Sequence, residues 1–286
     1  MRLNPFNTGN IQVGTTGGGG GGGLGGGGKL GCGGIVIVLI GALVFGVDPA
    51  EMLATVEGTQ QGQVTQAPSG EDAQAICSSN EYATETCNAL SSLNDTWQPL
   101  FAAQNLEFRQ PTLRFATSQQ FNTGCGPGSV GMGPFYCPAD ETMYIDVNFY
   151  DELARMAGNG GDFARLYVVA HEYAHHVQTI TGISGQIRSA QQQDPRRANQ
   201  LQVMMELHAD CYAGVWAGKN RNLIEPGDLE EGMNAAAAIG DDTLTGGRVS
   251  SENFTHGTSQ QRMNALRLGM ESGDDLQCDR QILQAG

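Results

Sequence analysis

His171 and His175 stand four residues apart in a stretch without a helix breaker, and this spacing constrains the chain more than any other feature. On a helix, residues i and i+4 share one face about a turn apart, so both imidazoles can reach a single metal ion. The run from Asp162 to Ala170 contains no glycine or proline. Apolar residues recur at Leu166, Val169, Ala170, Tyr173, Ala174 and Val177, the period of a buried helix. Gly160 and Gly161 precede the run and Gly182 follows it, which predicts that the histidine pair sits mid-helix. Glu172 lies beside the first histidine, placed to act as a base on a metal-bound water. Two buried imidazoles beside an ionisable carboxyl are awkward without a metal, so core histidines satisfied by hydrogen bonds alone are the weaker reading.

The rest of the chain sets the context for that helix. Its 286 residues suffice for one sizeable domain plus accessory segments. A net charge of −15 repels phosphate rather than binding it, which argues against nucleic acid as a partner. Gly17 to Gly28 is glycine apart from Leu24, a tract that cannot bury a core. Leu30 to Val47 follows, 18 residues without a charge between Lys29 and Asp48, near the lower limit for spanning a bilayer. A buried core helix is the competing reading, but a glycine-rich tail offers little protein to bury it. Arg2 and Lys29 on one side, with Asp48, Glu51 and Glu57 on the other, predict a cytoplasmic N-terminus and an extracytoplasmic remainder, in the periplasm or at the cell surface. No clear A-x-A site supports a cleaved signal peptide, and Cys32 lies on the wrong side of the apolar run for a lipoprotein. The expected organisation is a glycine-rich cytoplasmic tail (1–29), a transmembrane anchor (30–47), a polar linker (48–70) and a folded domain (71–286).

Apart from Cys32, six cysteines remain, an even number that suggests disulfides in an exported domain. Cys77 with Cys87 and Cys125 with Cys137 are plausible local pairs, leaving Cys211 with Cys278, one of 15 possible connectivities. No C-x-x-C occurs to favour metal binding by cysteine. Within the domain, residues 73–101 read as helix, and residues 109–115 and 142–147 read as strands. The glycine-rich stretch 124–134 reads as loop, and so does the polar stretch 182–194. Asp194-Pro195 is a good helix start, with a helix expected through Trp216 to Gly218. Further helices are expected around Leu229 to Ile239 and from Thr258, where Gln261 completes a capping-box spacing. The half containing the histidines is thus mainly helical and the part before it a small sheet.

A hydrolytic metal site needs a third protein ligand and one open position for water. On the helix from Asp194, Glu206 and Asp210 are i and i+4 on one face, on a helix otherwise largely apolar. The economical assignment makes Glu206 the third ligand and Asp210 the acceptor of a free N–H from a liganding histidine. A carboxylate pair on a solvated stripe is the alternative. His208 points away from that face, and His176 lies about 100° from His175 and about 140° from His171 around the helix, so neither is read as a ligand.

His171-Glu172-x-x-His175 with Glu206-x-x-x-Asp210 resembles the zinc peptidases whose third ligand is glutamate. More closely, the chain resembles the membrane-anchored "putative neutral zinc metallopeptidase" family of bacteria. Residues carrying the likeness include the glycine tract with Lys29-Leu30-Gly31, Phe45 to Pro49, Gly133 to Asp140, His171 to Gln178, Glu206 to Cys211 and Phe254 to Ser259. His208 stands where that family leads us to expect glutamine. The resemblance implies an α+β fold: a mainly helical zincin-like metallopeptidase domain with a small β-sheet, preceded by a single transmembrane helix. It implies zinc (Zn2+) on His171, His175 and Glu206, Glu172 as general base, and a peptide or protein substrate. His256 is the candidate second donor to the reacting oxygen, because such enzymes often place a histidine or tyrosine there, with Tyr144 or Tyr173 as alternatives. The strand at 142–147 is a candidate edge for an extended substrate. Two other readings stay open: an anchored zinc-binding assembly protein without turnover, and a zinc amidase acting on a non-peptide or cell-wall amide. The oligomeric state is not legible.

Overall fold

The computed structural model describes residues 1–16, 70–158 and 161–284. In chain order these form β1 (Gln12–Thr15), α1 (Gly70–Cys77), α2 (Glu81–Ala103), β2 (Thr112–Phe115), β3 (Gln120–Thr123), β4 (Gly126–Ser129), β5 (Phe135–Cys137) and β6 (Thr142–Ile145). The helices α3 (Phe149–Ala157), α4 (Asp162–Ile180), α5 (Ile183–Gln193), α6 (Ala198–Lys219), α7 (Asp228–Ala238), α8 (Asp241–Leu244), α9 (Ser259–Ser272) and α10 (Asp275–Cys278) follow.

Four strands make one sheet in the order β1-β2-β6-β5, and β3 pairs with β4 in a separate hairpin. The first three run parallel, with Val13, Leu113 and Met143 in register, and β5 is antiparallel to β6. The strand expected to offer an edge, β6, is therefore interior, and β5 is the outer strand on that side. The expected loop at 124–134 holds β4, tied back to β5 by the Cys125–Cys137 disulfide.

Helix α4 is the central element. Phe163, Leu166, Tyr167, Val169, Ala170, Tyr173, Ala174 and Val177 are all buried, and each large apolar side chain so removed from water contributes about 1.5–3 kcal/mol. Helix α6 lies beside it and packs closely on α9. A Cβ at Gly214 would overlap the Leu266 carbonyl oxygen, and one at Gly269 would overlap that of Cys211, so only glycine permits this approach. Thr258 caps α9 by accepting from the Gln261 N–H, while Gln261 accepts from the Thr258 N–H.

Several local expectations are revised. The single helix expected from residue 73 is broken at Ser78-Ser79, because Asn80 caps a new helix by accepting from the Ala83 N–H; the Cys77–Cys87 disulfide spans the break. The stretch read as loop after Gly182 is α5. Ile187 on its sparse apolar stripe packs on Leu201 and Met205 of α6, so tertiary packing overrides a polar composition. One 3-10 turn, Pro195–Arg197, precedes α6, with Asp194 accepting from the Arg196 N–H. The third disulfide joins Cys211 of α6 to Cys278 of α10, so all three expected pairings are present.

The expected transmembrane helix ahead of the domain is corrected. Among the described residues no helix is long and apolar enough to cross a membrane, and the segment 30–47 itself lies outside the described residues. The expected single-pass placement, with a cytoplasmic N-terminus and an extracytoplasmic domain, is corrected with it. Strand β1 pairs with β2 inside the domain's own sheet, and the Met1 amino group donates to Asp162 at the start of α4 and to Asp228 of α7. One span between residues 30 and 47 would leave these N-terminal residues and the domain they pack into on opposite sides of a bilayer.

Candidate metal centre

His171 and His175 occupy successive turns of α4, and Glu206 faces them from α6. The His171 and His175 Nε2 atoms are 3.2 Å apart, and Glu206 Oε2 lies 3.1 Å from the first and 3.5 Å from the second. A tetrahedron built on zinc bonds of about 2.0–2.1 Å has edges of about 3.3–3.4 Å. The three atoms therefore form one face of such a tetrahedron, and the donor set of two imidazoles and a carboxylate suits zinc.

The hydrogen bonds behind the histidines fix which nitrogen faces inward. His171 Nδ1 donates to Asp210 Oδ1 at 2.8 Å and His175 Nδ1 donates to Gln178 Oε1 at 2.9 Å, leaving both Nε2 lone pairs for a metal. Asp210 is fully buried. Arg262 of α9 donates to both its oxygens at 2.9 Å, and the Tyr167 hydroxyl donates at 2.6 Å. Burial alone would raise the Asp210 pKa, but Arg262 and His171 outweigh it and hold Asp210 below its ordinary value. Burial alone would lower His171, but Asp210, helped by Glu206, takes it up to about 9. Gln202 of α6 donates to the other Glu206 oxygen at 2.9 Å, orienting that carboxylate.

Glu172 lines the same cavity, an open cleft of about 120 Å³. Burial raises its pKa, partly offset by the two histidines. The cleft's other walls are largely apolar: Met132, Pro134 and Phe135 near β5, Phe149 on α3, and Ile239 and Leu244 beyond α7.

His256 also reaches this cleft from the loop before α9. Its Nδ1 lies 3.0 Å from Asp241 Oδ1, while Asp241 Oδ2 accepts from the backbone N–H groups of Thr255, His256 and Gly257. His256 is 4% exposed and its Nε2 has no partner, so the ring presents a buried polar atom to the cavity. The two tyrosines considered as alternatives do not line it. Tyr144 donates to Asp140, and Tyr173 is buried and donates to Asn94. His176 is bound to the Tyr136 hydroxyl and the Arg109 carbonyl, away from the ligand atoms.

Sequence reasoning thus named the residues that converge here but missed those holding them: Arg262, Gln178, Gln202 and Asp241. Gln178 carried a signal, standing three residues after His175 on the same helix. Gln202 carried one too, standing four residues before Glu206 on its helix, whereas Arg262 and Asp241 come from other elements and carried none.

The family model described as "Putative neutral zinc metallopeptidase" matches residues 7–281. The Escherichia coli relative "Uncharacterized protein YpfJ" is 43% identical over 257 residues, which is 87% of this chain and 86% of that protein. A Mycobacterium tuberculosis relative, "Uncharacterized protein Rv2575", is 38% identical over 260 residues, covering 83% of this chain and 84% of that protein. No solved structure matches. The match covers nearly the whole chain, so this chain belongs to the "Putative neutral zinc metallopeptidase" family, and the convergence of His171, His175 and Glu206 fits the zinc that this family implies.

Proposed function

We propose that this protein hydrolyses peptide bonds, with zinc held by His171, His175 and Glu206 and with Glu172 as general base. The observation that carries the reading is the position of Glu172 on the wall of the cleft into which three ligand atoms converge. When bound, zinc acidifies a water and polarises the carbonyl under attack. Glu172 takes the proton from the water and delivers it to the leaving amine. Asp241 anchors the His256 ring with its Nε2 on the cleft, where negative charge builds on the carbonyl oxygen. The apolar walls exclude water and receive the side chains of an extended peptide, and β5 offers it an outer strand to lie against.

A purely structural zinc site fits less well. It would be closed by a fourth protein ligand, and among the described residues the group contains three. It would also have no use for Glu172.

The test is metal analysis and a peptide-library digest with the full chain, comparing wild type with Glu172→Gln. The wild type is expected to cleave and to stop on chelation. The variant should retain its zinc and lose about 10²–10⁴-fold in rate. Undiminished cleavage by Glu172→Gln would overturn the mechanism.

A further inference from the structure

The cleft changes character along its length. Among the α4 residues on its wall, Val168, His171, His175 and Thr179 follow one another at intervals of three or four, so they share one face and mark the line along which the cleft passes the metal centre. Val168, ahead of the ligands, is apolar. Beyond them the lining turns polar. Thr179 Oγ1 donates to the His175 carbonyl and accepts from Ser184 Oγ of α5 at 3.4 Å, and Arg188 stands one turn further along α5. Thr179 is one turn from His175, about 6 Å along the helix, which is the length of about two residues of an extended peptide. Helix α5 is held from its other side: Ile187 packs on Leu201 and Met205 of α6, and Gln191 donates to the Ala198 carbonyl. Ser184 and Arg188 are thereby presented to the cleft on a fixed element.

Two cations line the cleft, and their surroundings differ. Arg262 commits its guanidinium to Asp210. Arg188 is half-buried and has no ion pair and no hydrogen bond among the described residues, although the chain carries 30 acidic residues against 15 basic ones. Its planar fork of N–H donors, which matches the two oxygens of a carboxylate, is therefore left open beside the metal centre. We infer that Arg188 binds a carboxylate of the substrate, so that the cleft selects peptides carrying a negative charge about two residues from the bond at the metal centre. An Asp or Glu side chain and the peptide's own C-terminus present the same chemistry to Arg188. With the first the chain is cut internally, and with the second a short C-terminal fragment is released. The inference rests on the reading of the cleft as a peptide site.

The test reads selectivity within matched pairs of peptides. Short peptides with Glu or Gln scanned through every position, each as free acid and as C-terminal amide, are offered to the zinc-loaded full chain for cleavage and to its zinc-loaded Glu172→Gln variant for binding by calorimetry. A charge-assisted pair at a half-exposed site is expected to favour Glu over Gln at one position, or free acid over amide, by about 10-fold. Which pair shows the preference identifies the source of the carboxylate. Arg188→Gln should abolish the preference and Arg188→Glu should invert it. Arg267→Gln, on an exposed residue of α9 outside the cleft, should keep it. Equal treatment of every pair by the wild type, or a preference that survives in Arg188→Gln, would overturn the inference. Preferential binding without cleavage would support the role of Arg188 and count against the proposed function alone.

Discussion

The two metal-facing histidines sit four residues apart on one helix, yet their surroundings differ in kind. His171 is backed by charge: a fully buried carboxylate, Asp210, itself held by the guanidinium of Arg262 and the hydroxyl of Tyr167. His175 is backed by a neutral amide, Gln178, and carboxylate charge enters only beyond His208, at the partly exposed Asp279. The difference lies in where the carboxylate sits. In the core a carboxylate beside the metal ligand requires a matched cation to be tolerated, and α9 supplies it. Behind His175 a buried amide orients the ring without burying a charge, and water screens the partly exposed Asp279 carboxylate. The first arrangement makes the site depend on the packing of α9 against α6, and the second on the Met205 carbonyl of α6, which accepts from the Gln178 amide and orients it.

Breaking the charged side should cost most. Arg262→Met leaves Asp210 buried without its cation and is expected to destabilise the zinc-free protein by about 3–5 kcal/mol. Gln178→Leu on the neutral side removes hydrogen bonds without stranding a charge and should cost about 1–3 kcal/mol. Denaturant unfolding of the two variants measures both, and equal losses would show that the two histidines are not supported differently. Next comes the packing that lets Arg262 arrive. Gly269 lies two turns after Arg262 on α9, where its backbone meets that of α6 at Cys211, the residue after Asp210. Gly269→Ala should force the helices apart, with an overpacking cost of about 1–3 kcal/mol and a drop in zinc affinity. A destabilised variant with unchanged zinc affinity would show that the helix contact holds the fold but not the site.

The pattern of legibility matches the same division. Helix α4 was readable because its apolar period and its histidine spacing are both local, and Glu206 and Asp210 because one helix carries both. Thr258 and Gln261 announced α9 for the same reason. Arg262 and Asp279 were silent, since nothing in the residues around them records which distant carboxylate or imidazole they will meet. Helix α5 was missed because its identity is written in Leu201 and Met205 on the helix it packs against, not in its own polar composition. The apolar run 30–47 shows the converse case. Local composition argued for a separate segment with the residues before it on the far side, whereas β1 is part of the domain sheet through a pairing that only the tertiary structure reveals.

The pH dependence of the zinc-free protein separates the two histidines most directly. His171 rises from an ordinary 6.5 to about 9, because Asp210 and then Glu206 outweigh the effect of burial. A group whose pKa is raised on folding binds its proton more tightly in the folded state. The stability it contributes is complete below about 6.5 and is lost as pH rises through about 9. Unfolding midpoints of chelator-treated protein should therefore decline across that window. Asp210→Asn removes the leading cause of the rise and should flatten the decline. Gln178→Leu removes a neutral partner that takes no part in raising His175, whose increase comes chiefly from Glu206, and should leave the slope near wild type. If both variants flatten the profile equally, charge does not distinguish the two sides, and the contrast between a carboxylate-backed and an amide-backed ligand fails at its physical root.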